Sequence, residues 1–262
     1  MIHLPYHRRL LKVPVILTGL LLVAPAVLKA QPSILNELLT HRAALVEVQA
    51  KNLSLYRSPP GPVALDAKTG RLIVRQNVKQ ASYFREGAGV IIHPSGVIVT
   101  NAHIVHRAGR ITVVMPDKNK LNAQVVGFIN AIDLALLKVS PPSDLPWVRL
   151  ADSDQIRLGD EIFTVGHSFL LNQTVSGGKV IGLGTSRAAP RQGHRRTELI
   201  QTTFNLYEGD SGGPLFNNRG QLIGLMTAKE TKADHSSFAV PSNRIAQYLK
   251  EYLQNQGLAP AP

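Results

Sequence analysis

The sequence contains no cysteine, which excludes a disulfide framework, a thiolate metal site and a cysteine nucleophile. Aromatic residues make up only 5%, while glycine and proline number 21 and 17. That balance suits a turn-rich β protein better than a helical bundle. Acidic residues are scarce, 17 against 29 lysines and arginines, giving a formal net charge of +12. Residues 1–30 hold four basic and no acidic residue, so the remainder still carries +8. Such an excess favours an anionic partner, whether nucleic acid, anionic lipid or an acidic envelope polymer. No RNP, zinc-finger or helix-turn-helix pattern accompanies it, so nucleic acid is not expected. Against these scarcities, 44% of the 262 residues are hydrophobic, enough for a substantial core and too many for global disorder.

The basic stretch His7-Arg-Arg-Leu-Leu-Lys12 precedes an apolar run over residues 13–28. Basic residues followed by about 16 apolar ones are the layout of a secretory signal. Pro14 and Pro25 interrupt the run, which is shorter than the roughly 20 residues of a spanning helix. Ala24-Pro25-Ala26 offers a cleavage site and Leu28-Lys29-Ala30 a second. Residues 1–30 are therefore read as a signal peptide, with an uncleaved anchor through residues 13–28 as the alternative. Both make the remainder exported, periplasmic or secreted.

Residues 33–55 are expected to form an amphipathic helix, with Ser33 placed to cap it. Leu35, Leu39, Ala43, Val46, Ala50 and Leu53 recur at spacings of three and four, a stripe that something must cover. Its own domain, a second copy in a homo-oligomer, and a membrane-proximal stalk all satisfy that requirement. Arg57-Ser-Pro-Pro-Gly-Pro62 breaks the helix, so 31–62 is read as helix and linker. Beyond it, short β-rich runs such as GAGVIIH, GVIVT, RITVVM, LALLKV, EIFTVG and QLIGLMTA are bounded by turn residues. They predict an all-β barrel or sandwich pair within a domain over 63–256. Pro241 to Leu253 reads as a closing helix capped by Ser242, and 257–262 as tail.

Three residues stand out chemically. Ser211 lies in Gly209-Asp210-Ser211-Gly212-Gly213-Pro214, where glycines permit a tight turn and close approach of a substrate. His103 follows the alternating run GVIVTNA at a strand end. Asp133 opens the apolar run of LALLKV, where a carboxylate needs a partner. A serine becomes a nucleophile only when an imidazole takes its proton, and a carboxylate must hold that imidazole in the right tautomer. His103 and His106 also form an H-x-x-H pair, but no third ligand pattern accompanies it and no metal is expected.

The order His103, Asp133, Ser211, with gaps of 30 and 78 residues, together with GAGVIIHPSGVIVTNAHIV, DLALLKV, EGDSGGPLFNNRGQLIGLMTA and SFAVPSNRI, resembles the HtrA-type (Do-like) branch of the trypsin-like serine proteases. The resemblance covers about residues 86–248. It implies two perpendicular six-stranded antiparallel β-barrels, flanked here by an N-terminal and a C-terminal helix, with the triad in the cleft between them. It further implies His103 as general base, Asp133 as its orienting acid, Ser211 as nucleophile, and the N–H groups of Gly209 and Ser211 as the oxyanion hole. No cofactor is implied, and the substrates are peptides or proteins. The branch usually continues into a PDZ domain, and here the chain is expected to lack one. Asp210 stands where the branch carries asparagine, and Glu208-Gly209 where it carries Pro-Gly. Gly166-His167-Ser168-Phe169 replaces the usual Gly-Asn-Pro-Phe. In animal trypsins an aspartate at the position of Asp210 pairs with a new N-terminus; no IVGG-like start is seen here, so Asp210 is expected to find another partner or to stay solvated.

Asn205, Thr227, Ala228 and Lys229 are implied as the substrate pocket, and Asn205 brings no charge to its base. An uncharged P1 residue of modest size is the expectation. Arg187 to Arg196, RAAPRQGHRR, is read as a solvated basic loop or a grip for an acidic polymer. Three functions remain open on these residues: an exported serine endopeptidase, a non-catalytic scaffold on the same fold, and a basic adaptor for an anionic envelope surface.

Overall fold

A computed structural model describes residues 32–57, 63–65, 72–74, 78–165, 175–185, 199–207, 209–229 and 236–261. The expected signal segment, the Pro-rich linker over 58–62, the segment 166–169 and the basic loop 187–196 lie outside the described residues. Two closed antiparallel barrels organise the chain. The first comprises β1 (Leu45–Arg57), β4 (Val78–His93), β5 (Val97–Thr100), β6 (Ala108–Val114), β7 (Lys120–Ile129) and β8 (Leu134–Val139), in the order β1-β4-β5-β8-β7-β6. Between β1 and β4, β2 (Val63–Leu65) and β3 (Leu72–Val74) pair as a small ribbon. The second barrel comprises β9 (Glu161–Val165), β10 (Val175–Thr185), β11 (Leu199–Thr202), β12 (Pro214–Asn217), β13 (Leu222–Lys229) and β14 (Ser237–Pro241), in the order β10-β11-β14-β13-β12-β9.

Closure explains why the β-rich runs are so apolar. Every residue of β5, VIVT, is buried, and β8 buries Leu134 to Leu137 together with Val139. Strands that line a barrel wall and also pack against a neighbour bury both faces, so alternation gives way to continuous hydrophobicity. One core cluster runs from Val46, Ile91 and Leu137 of the first barrel to Phe163, Phe216 and Leu225 of the second. The two barrels therefore share a core.

The expected helix over 33–55 is corrected. The helix α1 spans Pro32–Thr40 only, a short 3-10 turn occupies His41–Ala44, and Leu45–Arg57 is β1. The first barrel thus begins at residue 45, upstream of the boundary read at 63. The stripe was ambiguous because a spacing of four fits a helix and is also twice the strand period. Val46, Val48 and Ala50 are fully buried along β1, the period of a strand. On α1 the covered residues are Ile34 and Leu38, whereas Leu35 and Leu39 are each 39% exposed. Ser33 lies inside the helix rather than at its cap. The buried side of α1 packs on its own domain: Ile34 and Leu38 join the shared core, and His41 stacks on Phe216 at 5.4 Å.

The closing helix α3 spans Ser242–Asn255, with Pro241 as its N-cap residue. Ser242 is not the cap; its hydroxyl donates to the Ala151 carbonyl at 2.6 Å. The free amide of Asn243 is satisfied instead by Ser153 Oγ at 3.1 Å, and Asn243 Oδ1 accepts from Ser153 N–H at 3.2 Å. The inter-barrel connection therefore supplies the cap that the local sequence does not.

Candidate active site

His103 sits in a single turn, α2 (Ala102–Val105), immediately after β5. Asp133 sits between a 3-10 turn over Asn130–Ile132 and β8. Its backbone is left-handed, with φ 57° and ψ 43°, a conformation that costs a non-glycine residue about 1 kcal/mol. Two donors fix it: Asn101 Nδ2 at 3.0 Å and Ala102 N at 3.2 Å both reach the Asp133 carbonyl. Because β5 and β8 are paired neighbours, with Thr100 opposite Ala135, the residues that follow one strand and precede the other meet across the ladder. Thirty residues of sequence separation close to a contact.

The carboxylate of Asp133 is fully engaged. Oδ1 accepts the His103 backbone N–H at 2.9 Å, and Oδ2 faces His103 Nδ1 at 2.7 Å. Oδ2 also accepts the hydroxyl of Thr227, which reaches over from β13 of the second barrel. Burial would raise the Asp133 pKa, but the bonds from the His103 ring and Thr227, the charge of His103 and its backbone N–H together hold it below the ordinary carboxylate value. With Nδ1 committed, Nε2 is the ring position left to take up a proton. A carboxylate-oriented imidazole of this kind is suited to general-base work.

The Ser211 loop is tied to both barrels. Ala88 N–H of β4 donates to the Ser211 carbonyl at 2.8 Å, while Gly212 N–H donates to Met226 O and Met226 N–H to Gly213 O, each at 2.8 Å. Gly212, at φ 85°, lies so close to β4 that an added Cβ would collide with the Ala88 carbonyl. Gly209 also has positive φ, 96°. Among the described residues no hydrogen bond joins the Ser211 hydroxyl to His103. Asp210 finds the partner that the sequence left unnamed: its Oδ2 accepts the Tyr207 N–H at 3.0 Å, and its own N–H donates to Tyr207 O at 3.1 Å. The aspartate thus closes the loop locally.

Of the expected pocket residues, Asn205 is half-buried, and Thr227 is buried with its hydroxyl turned to Asp133. Ala228 and Lys229 continue β13 opposite Phe238 and Ser237; their side chains lie outside the described residues. His106 turns its ring edge-on to Phe128 at 6.4 Å, and no group of three metal-ligating side chains occurs among the described residues. Sequence reasoning missed the supports: Asn101, Ala88 and Arg85, whose Nη1 donates to the His103 carbonyl at 2.6 Å. Asn101 reaches the site through the pairing of β5 with β8, and Ala88 and Arg85 through the course of β4.

Two closed barrels with an oriented histidine and a glycine-bordered serine at their junction define a serine-peptidase architecture. The trypsin-like peptidase domain family matches residues 87–225, and the chain belongs to that family, in its HtrA-type branch. It is 38% identical over 178 residues to the putative serine protease HhoA of Synechocystis sp., covering 68% of this chain and 45% of that protein. It is 38% identical over 173 residues to the periplasmic pH-dependent serine endoprotease DegQ of Escherichia coli, covering 63% and 37% respectively. The HtrA-type protease AlgW with decapeptide superposes with a TM-score of 0.64 at 28% identity, covering 85% of this chain and 68% of that one. The chain spans less than half the length of these two curated relatives.

Proposed function

We propose that the chain is an exported serine endopeptidase that hydrolyses peptide bonds of envelope proteins through an acyl-enzyme. The observation that carries this reading is the Asp133 carboxylate bonded at once to His103 Nδ1 and to Thr227, beside a serine loop clamped between the barrels. Ser211 Oγ attacks the scissile carbonyl as His103 Nε2 takes its proton. The imidazolium, stabilised by Asp133, returns that proton to the leaving amine. The N–H groups of Gly209 and Ser211 hold the oxyanion. Water, activated by the same imidazole, then releases the acyl group. Asn205 and β13 residues Thr227, Ala228 and Lys229 border the acyl side, where an uncharged side chain fits a base without charge. Export is supported by the signal-like layout of residues 1–30 and by the periplasmic names of relatives such as DegQ. No helix among the described residues is long and apolar enough to cross a membrane.

The test is cleavage of an unfolded protein substrate by the wild type and by Ser211→Ala, with fluorophosphonate labelling alongside. Turnover and labelling in the wild type and neither in the variant are expected. Equal turnover by both would sink the proposal. The competing scaffold reading draws on the missing Ser211–His103 hydrogen bond, although such bonds commonly tighten only when substrate is bound. A folded wild type that neither turns over substrate nor takes the label would establish it.

A further inference from the structure

The Ser211 loop is held between two strands that do different things. β13, which receives Gly212 N–H at Met226, continues into Thr227–Lys229 on the acyl side. β4, which binds the Ser211 carbonyl through Ala88, runs along the opposite side, toward which a leaving peptide must extend. Just before that contact β4 carries Tyr83 and Arg85. Gly87 marks how close the strand passes, since an added Cβ would stand 2.8 Å from the Ser211 carbonyl oxygen.

Arg85 is half-buried and spends one donor on the His103 carbonyl at 2.6 Å. Its guanidinium lies 5.5 Å from the Tyr83 ring, which is 43% exposed and forms a rim. A guanidinium has five N–H donors in a planar fork, and among the described residues only the bond to His103 uses one of them. No carboxylate among the described residues forms an ion pair with it. Glu86 follows on the strand and so projects to the other face. The residue opposite Arg85 on β1 is Ala50, flanked on that face by Val48 and Asn52. Asp133 is already committed through both oxygens to His103 and Thr227. A partly desolvated cation with no acid paired to it among the described residues, bonded to the backbone of the candidate base, is a ready site for a carboxylate in bidentate contact.

We propose that Arg85, with Tyr83 as its rim, is a specificity-determining subsite on the leaving-group side of the cleft, which accepts an acidic side chain or terminal carboxylate carried one or two residues after the scissile bond. Two residues of extended chain reach roughly 7 Å, which suits the step from a leaving amine at the His103 ring to a group beside the His103 carbonyl. The inference rests on the proposed peptidase reading for its substrate, but not for the carboxylate site itself.

The test uses internally quenched peptides that differ only at the first or second residue after the cleaved bond, bearing Glu, Gln or Lys there. The readout is the ratio of kcat/KM values for Glu and Lys peptides within each protein, which cancels any loss of folded or active molecules. On the scale of a charge-assisted hydrogen bond we expect a preference for Glu on the order of tenfold in the wild type. It falls to near unity in Arg85→Gln, reverses in Arg85→Glu, survives in part in Arg85→Lys, and shrinks at high salt. Cleavage with an unchanged ratio in Arg85→Glu overturns the subsite and leaves the peptidase reading intact. If the wild type neither cleaves nor takes a fluorophosphonate, the peptidase reading fails, and fluorescence anisotropy of labelled Glu and Lys peptides decides the subsite. Tighter binding of the Glu peptide that reverses in Arg85→Glu then supports it; equal binding of the two peptides overturns it.

Discussion

Thr227 of the second barrel donates its hydroxyl to Asp133 of the first, on the same carboxylate oxygen that faces His103 Nδ1 at 2.7 Å. One side chain expected to line a pocket thus positions the orienting acid, and a hydrogen bond between barrels couples their packing to the geometry of the candidate base. Replacing Thr227 by Val keeps the shape and removes the donor. A buried charged acceptor left short of one bond costs about 1–3 kcal/mol. We expect kcat to fall by about tenfold with KM within about twofold of wild type, and Thr227→Ser to restore most of the loss. A rise in KM with unchanged kcat would assign Thr227 to the pocket alone.

Asp133 also makes stability depend on pH. Its pKa in the folded protein lies below the ordinary value of 3.8, so the folded state favours the ionised form. The stabilisation is fully present above that ordinary value and is lost as pH falls through the lower folded one. The difference in Tm between wild type and Asp133→Asn should therefore be constant from neutrality down to about pH 4 and narrow below it. A difference that grows on acidification contradicts the assignment.

Two glycines separate conformational strain from steric exclusion. Gly212 and Gly184 both have positive φ, 85° and 66°, but an added Cβ at Gly212 meets the Ala88 carbonyl, whereas at Gly184 it meets nothing within 4 Å. Gly184→Ala should cost about 1 kcal/mol, from backbone strain alone. Gly212→Ala adds a clash that must push the serine loop off β4, for a total of about 3 kcal/mol or more. Thermal melts should show a drop in Tm for Gly212→Ala at least twice that for Gly184→Ala. Fluorophosphonate labelling should be lost only in Gly212→Ala.

Asn52 offers a gain. Its side chain is 1% exposed in β1, and neither amide atom has a hydrogen-bond partner among the described residues. Leu is close in size and carries no polar atom to desolvate. Asn52→Leu is expected to stabilise the protein by about 1 kcal/mol, or about 3 °C in Tm for a chain of this size. A lower Tm would mean that the amide is satisfied in solution.

The site was legible where local sequence carries geometry. Glycines around Ser211 report a tight turn, and the alternating run before His103 reports a strand end. Asp133 was named because a carboxylate opening an apolar strand demands a partner, and His103 proved to be that partner. The failures share a cause. Val46 and Ala50 satisfy helical and strand periods alike, so the local pattern reads as helix, and only the pairing of β1 with β4 and β6 makes the segment a strand. Ser242 looked like a cap because Ser favours that role, yet the cap came from Ser153, 90 residues away. The partner of Asp210 was also local, the N–H of Tyr207 three residues back. Backbone donors such as this one leave no mark in the letters.

By itself the sequence determined the β class, the cysteine-free core and the order of histidine, aspartate and serine, since these follow from composition, periodicity and turn chemistry within short windows. Only the tertiary structure decided that Thr227 supports Asp133, that the connection between barrels caps α3, and that Arg85 stands beside His103 with no acid paired to it among the described residues. Each of those depends on strand pairing across tens of residues. Barrel closure, which removes free sheet edges and buries the shared core, fixes that pairing, and no local pattern encodes it.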